Sequence, residues 1–198
     1  MLCQALFPPG DKLPRYEMLV VAPNHEQSAV GHAITMHRPL RAEKVRFLHN
    51  PELEGWSVNG TPSDCVKLAV EAILTVKPRL VISGINHGSN LGTDVLYSGT
   101  VSAAVEAVIL GIPALAISLT EGDDFTFAAD FIRCLLPHVL QIKLPPETLL
   151  NINIPPGNNH EIKGVKATTL GRRRYRNTFE QRTDPRGRIY YWLAGELV

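Results

Sequence analysis

The chain is short of cysteine. Cys3, Cys65 and Cys134 are its only three in 198 residues, an odd number without CxxC spacing. That argues against a disulfide framework or a thiolate metal site and for free thiols in a reducing compartment. Excess charge is equally scarce. Twenty lysines and arginines against 19 aspartates and glutamates leave a net charge of +1, so no bulk attraction to nucleic acid or to a membrane surface is expected. No apolar run approaches the roughly 20 residues of a membrane-spanning helix. The first residues also lack the basic patch and apolar stretch of a signal peptide. There are no internal repeats and no low-complexity tracts. No GxxxxGK[ST] or GxGxxG motif follows a strand, which disfavours a P-loop kinase and a doubly wound dehydrogenase. With 44% hydrophobic and 20% charged residues, what remains is one globular domain, cytoplasmic by default.

What the sequence does have is concentrated between Arg79 and Leu119. Leu80-Val81-Ile82 is a short β-branched apolar run. Val101, Ala104, Val105, Val108 and Ile109 recur at helical spacing and are closed by Gly111 and Pro113, and Ala114 to Leu119 is a second apolar run. Strand, loop, helix, strand in that order predicts a parallel sheet. The loop from Gly84 to Thr100 carries Asn86, His87, Ser89, Asn90, Asp94, Tyr97, Ser98 and Thr100 among four glycines. It lies at the carboxyl end of a strand, the edge at which open α/β sheets bind ligands. Ser98 is suited to cap the helix. Gly99 and Thr100 then leave backbone N–H groups open to an anion such as phosphate.

The flanking chain fits around this unit. Met18 to Ala22 reads as a buried strand ended by Pro23, with the polar loop Asn24 to Gly31 behind it. Alternating runs Ile34 to Ala42 and Val45 to Leu48, then Trp56-Ser57-Val58, predict an antiparallel excursion. Thr61-Pro62-Ser63-Asp64 is a capping box with proline at the first helical position, and the helix it opens should end near Lys77-Pro78. Ala128 to Leu140 predicts an amphipathic helix stopped or kinked at Pro137, and Leu149 to Ile154 a strand. From Lys163 the composition changes, with Arg172 to Arg176 and an aromatic run Ile189 to Leu193 that predict a hairpin with a basic base.

Three of these blocks carry a resemblance. GINHGSNLGTDVLYSGTVSAA, VVAPNHEQSAVGHAITMHRPLR and NGTPSDCVKLA resemble conserved segments of the survival protein E (SurE) family of metal-dependent nucleotidases and phosphatases. The likeness runs from about Met18 to Leu197. It implies a Rossmann-like three-layer α/β/α core with a mostly parallel sheet plus an extended β-hairpin arm. The expected division is an irregular N-terminus over 1–17, the nucleotidase core over 18–160 and a hairpin arm for oligomerisation over 161–198.

The implied activity is hydrolysis of nucleoside monophosphates to nucleoside and phosphate, with one divalent metal ion, Mg²⁺ or Mn²⁺, as cofactor. By the resemblance Ser28 and Asn86 are metal ligands. Ser98, Gly99 and Thr100 are expected to bind phosphate, and Asn90 and Asp94 are the catalytic candidates. His87 is a candidate general acid or a plain loop residue. The partners implied are the nucleotide and further copies of the chain, as a homodimer or homotetramer, with no membrane and no specific nucleic acid. The sequence departs from the family at its beginning, where the Asn-Asp-Asp-Gly turn that supplies the metal's carboxylates is absent, and its end is also expected to be shortened. Gly10-Asp11 is a poor substitute, and Asp123-Asp124 reads as a solvated turn. Two other readings therefore stay open: an inactive nucleotide- or phosphate-binding remnant, and a purely structural oligomeric subunit.

Overall fold

A computed structural model describes residue 6 and residues 16–47, 50–158, 161–176 and 179–198. Most of the expected N-terminal segment, with Gly10 and Asp11, lies outside the described residues.

The strand-helix-strand unit forms as the periodicity predicts. β4 (Val81–His87), α2 (Gly99–Ile109) and β5 (Ala114–Leu119) follow one another, and β4, β5 and β6 (Leu150–Ile154) form a parallel sheet in that order. Every residue of β5 is buried, as both faces of a central parallel strand should be. Its small residues face one way. Ala114 and Ala116 pack with Val101, Ala104 and Ala107 of α2, and Val66 and Val70 close that cluster. Its large residues face the other way, where Leu115 and Ile117 meet Ala128, Ile132 and Val139 of α3 (Thr126–Val139). Each fully buried Leu or Ile side chain contributes about 1.5–3 kcal/mol. Helix, sheet and helix thus make the three layers, and the reading of the fold as Rossmann-like α/β holds.

A second sheet of three strands joins β1 (Leu19–Pro23), β3 (Asn50–Val58) and β2 (Ala42–Phe47) in the order β1-β3-β2. β1 runs parallel to β3, from Leu19 opposite Glu54 to Pro23 opposite Val58, and β2 is antiparallel. Among the described residues β1 pairs only with β3, and β4 only with β5. The two sheets are joined through the helix layer, in which α1 (Pro62–Leu68) packs beside α2.

Three local expectations need correction. Residues 34–41 are loop, and the excursion is built from β2 and β3 alone. Thr35 is drawn away from any ladder because its N–H and hydroxyl both donate to Asp64. α1 passes into a π-helical turn (Ala69–Ile73) and stops at Leu74, whose ψ of 136° is extended, short of Lys77. α3 runs through Pro137 to Val139. The proline falls in the last turn, where buried Leu136 and Val139 hold the helix on the sheet despite the missing donor.

The arm is present. β8 (Phe179–Thr183) and β9 (Ile189–Leu193) pair antiparallel, with Asp184 turning the chain by accepting from the Arg186 and Arg188 N–H groups at 2.8 and 2.9 Å. Phe179, Ile189, Tyr191, Trp192 and Leu193 are all exposed on it. A two-residue ladder, β7 (Tyr175–Arg176) with β10 (Glu196–Leu197), closes its base.

Candidate active site

The first turn of α2 is the centre of the site. Ser98, in extended conformation, caps the helix by accepting from the Val101 N–H at 3.1 Å. The first N–H groups of any helix lack intrahelical carbonyls and carry its positive end, and here they belong to Gly99 and Thr100. Gly99 is buried, and its lack of a side chain is used: a Cβ there would lie 3.4 Å from the Gln27 carbonyl oxygen and from Val30, and 3.1 Å from Pro62. The loop after β1 therefore lies directly against the helix start. Gly31 fixes it further by donating its N–H to the Tyr97 carbonyl at 2.9 Å. Ser28, exposed between Gln27 and Val30, is held at the mouth of the helix.

Asn86 approaches from the end of β4. Its side-chain NH₂ donates to the carbonyls of His87 (3.2 Å) and Gly88 (2.8 Å), and its amide oxygen accepts from the Thr100 hydroxyl at 3.2 Å. Asn86 and Thr100 thus meet at the end of β4, and the residues flanking Ser28 pack on Gly99 of the same helix start. His87, next in the strand, faces the other layer, with Nε2 3.0 Å from Asp123 and its ring 6.3 Å from Phe125. Asp123 is 96% exposed. Asp124 accepts from the Thr126 N–H at 2.9 Å, and hydrogen bonding from the Thr126 side chain and then its backbone lowers the Asp124 pKa. The pair is a turn on the outer face, as its sequence suggested.

Asn90 and Asp94 are placed differently from a substrate-facing pair. Asn90 is buried. Its N–H donates to Asn153 at 2.8 Å, its side-chain NH₂ to the Ser118 hydroxyl at 2.6 Å, and its carbonyl accepts from Asn151 and Asn153 at 2.9 and 3.0 Å. Asp94 sits in a 3₁₀ turn (Gly92–Leu96), where Arg173 and the Tyr175 hydroxyl both bind its Oδ2 at 2.7 Å. That bond to the carboxylate raises the Tyr175 pKa. Thr93 donates to the Arg173 carbonyl at 3.0 Å, so the segment before the arm grips this turn.

The sequence reading missed the supports of these loops. Asn151 and Asn153, two polar side chains on one face of an otherwise apolar strand, were the visible signal. Asp64 was read as a cap. Besides closing the capping box with Thr61, it accepts from the Thr35 N–H at 2.9 Å and hydroxyl at 2.6 Å. Burial pushes its pKa up, but the hydrogen bonds from Thr35 and Thr61 outweigh burial, and the net shift is downward. Next to it, burial and the Asp64 charge push the Cys65 thiol up to about 12, which removes it as a nucleophile.

The donors gathered here do not by themselves fit a divalent cation. Ser28 and Asn86 offer neutral oxygens, whereas such ions on phosphate are usually held through one or two carboxylates. Asp94 is already paired. Among the described residues no three His, Cys, Asp or Glu side chains come together as a metal cluster. Nor, among them, is any helix long and apolar enough to cross a membrane.

Comparison with known proteins adds the ancestry. A family model described as Survival protein SurE matches residues 8–177. The chain is 57% identical over 192 residues to the 5'-nucleotidase SurE of Carboxydothermus hydrogenoformans, covering 95% of this chain and 72% of that protein. It is 59% identical over 184 residues to the 5'-nucleotidase SurE of Pelotomaculum thermopropionicum, covering 91% and 68%. Its fold is similar to the crystal structure of the Sure protein from Aquifex aeolicus, with a TM-score of 0.73 and 42% identity, covering 89% of this chain and 71% of that one. Matched over most of its length by the family model and by these relatives, the chain belongs to the SurE family.

Proposed function

We propose that the chain is a phosphomonoesterase of the 5'-nucleotidase type, hydrolysing nucleoside monophosphates to nucleoside and phosphate. The observation that carries this reading is the meeting of the Ser28 loop, Asn86 and the first turn of α2. A phosphate seated there is met by the N–H groups of Gly99 and Thr100, which stabilise charge growing on its oxygens. The Ser28 hydroxyl orients one of its remaining oxygens, and Asn86 holds the Thr100 hydroxyl beside the helix start. Water attacks phosphorus in line and the ester P–O bond breaks, the nucleoside oxygen leaving with a proton from water, because among the described residues nothing at the helix start pairs a nucleophile with a base. Asn90 and Asp94 hold the loop rather than touch substrate. No step is assigned to Mg²⁺ or Mn²⁺, since the described donors lack the carboxylates such an ion requires. The same shortage favours a second reading, phosphate binding without turnover.

One experiment separates the two readings. AMP hydrolysis is measured with Mn²⁺ and with a chelator, alongside binding of inorganic phosphate, in the wild type and in Asn86→Ala. Phosphate release that falls at least tenfold in the variant supports the hydrolase. Binding without release supports the remnant, and neither binding nor release from folded protein overturns both. The arm, with its exposed aromatic strand, is assigned to pairing of copies as a homodimer or homotetramer. Sedimentation as a monomer at micromolar concentration would rule that out.

A further inference from the structure

Glu106 is one of the few charged side chains inside the fold. It projects from the middle of α2, and its side chain is only 5% exposed. Two basic side chains meet it, one on each oxygen: His32 Nε2 lies 2.7 Å from Oε2, and Lys67 Nζ of α1 lies 3.2 Å from Oε1. Lys67 also reaches Glu71 at 3.5 Å on its solvent side. A buried carboxylate is retained only with such partners, and their loss leaves its charge uncompensated. His32 is the informative one. It is four residues beyond Ser28 and next to Gly31, whose N–H is bound to Tyr97. The segment that carries Ser28 is thereby tied to α2 twice, near the helix start through Gly31 and in its second turn through His32.

We propose that His32 and Glu106 are positioning residues, which hold the Ser28 loop in register with the phosphate-binding turn of α2. The proposal rests on the reading of that turn as the phosphate site. In the tied arrangement the loop and the helix start keep one separation, so an anion meets the Ser28 hydroxyl and the Gly99 and Thr100 N–H groups together. Displacements of about 1 Å in such groups cost on the order of a hundredfold in rate. Without the tie, the loop keeps the Gly31 bond, the packing of Gln27 and Val30 against Gly99, and more distant anchors at Asn24, Ala33 and Thr35.

The test uses the whole chain with His32→Ala and His32→Gln. The His32 side chain is 31% exposed, so neither substitution should prevent folding, and glutamine keeps an N–H donor able to reach Glu106. Amide hydrogen exchange is followed at Gly31, at Cys65 in α1 and at Leu110 at the end of α2, together with kcat and KM for AMP. The expected result for His32→Ala is an at least tenfold loss of protection at Gly31, with Cys65 and Leu110 unchanged. kcat/KM should fall about tenfold, mostly in KM, and His32→Gln should recover most of both.

Equal loss of protection at all three amides would make the pair a general stabiliser and overturn the proposal. So would Gly31 protection and turnover within twofold of the wild type in His32→Ala, or local loosening that leaves kcat/KM untouched in an active enzyme. If the wild type hydrolyses no AMP, the functional reading fails on its own. Exchange at Gly31 then decides the tie separately.

Discussion

The two walls of the site are built from different chemistry. On the Asn90 side the loop is fixed by neutral amides and a hydroxyl. Asn90, Asn151, Asn153 and Ser118 exchange hydrogen bonds where β5 and β6 end. On the Ser28 side the loop is fixed by carboxylates, Asp64 on Thr35 and Glu106 on His32. Charge-assisted bonds are individually stronger, but they depend on protonation, and amides do not. One wall should therefore be indifferent to pH and the other sensitive to it.

Removing the strongest single support should separate the walls most. Asp64→Ala leaves the partly buried Thr35 N–H, Thr35 hydroxyl and Thr61 N–H without their acceptor and removes a capping box, a cost of about 3 kcal/mol. Urea denaturation would measure it, and a loss below about 1 kcal/mol would erase the contrast. On the other wall Asn153→Ala leaves the Asn90 N–H without its acceptor, and about 2 kcal/mol is expected. Here Asn90 and Leu91 should lose protection from exchange while Gly31 keeps it.

Acid should act on the Ser28 wall alone. The Asp64 pKa is depressed in the folded state, so the unfolded chain binds its proton first. Its contribution is complete above the ordinary value of 3.8 and is lost as pH falls below that through the depressed folded value. Protection factors recorded downward from pH 5 should fall at Gly31 before they fall at Asn90. The reverse order would mean that Asp64 is not what holds the wall. Smallest of all is the outer clamp. Arg173→Ala removes a half-exposed ion pair with Asp94, worth up to about 1 kcal/mol before screening by salt. A thermal midpoint nearly unchanged at high salt is the outcome to look for.

How much of this was legible in the sequence follows from distance along the chain. The β4-α2-β5 unit, the Ser98 cap and the Thr61-Asp64 capping box are local, and residues a few positions apart declare them. Ser28, Asn86 and Thr100 were placed in one site by family resemblance, and in the fold Thr100 bonds Asn86 while the neighbours of Ser28 pack on Gly99. The hydrogen-bond partners of Asn90 and Asp94 were not legible. Asn90 is settled by partners 61 and 63 residues away, and Asp94 by Arg173 and Tyr175, 79 and 81 residues away. Residues 34–41 show the same limit from another side. Their alternation suggested a strand, but Asp64, 29 residues from Thr35, offers the backbone a better partner than any ladder. Pro137 failed as a stop because burial on its own helix outweighed one missing hydrogen bond.

The end of β4 and the loop after it are indexed against three successive residues of β5. Gly84 lies against the Ile117 carbonyl, Asn90 binds the Ser118 side chain, and the Gly88 N–H binds the Leu119 carbonyl at 2.8 Å. A strand ladder admits only whole-residue steps of about 3.3 Å, several times larger than the misplacement a reacting geometry tolerates. Asn86 is registered opposite Ser118 of β5, after an irregularity that follows Ser83, so a slip of the ladder moves it by whole residues. Damage to β5 should leave the site either in place or a full notch away, so a set of β5 variants would divide into active and inactive classes, with few grades between them.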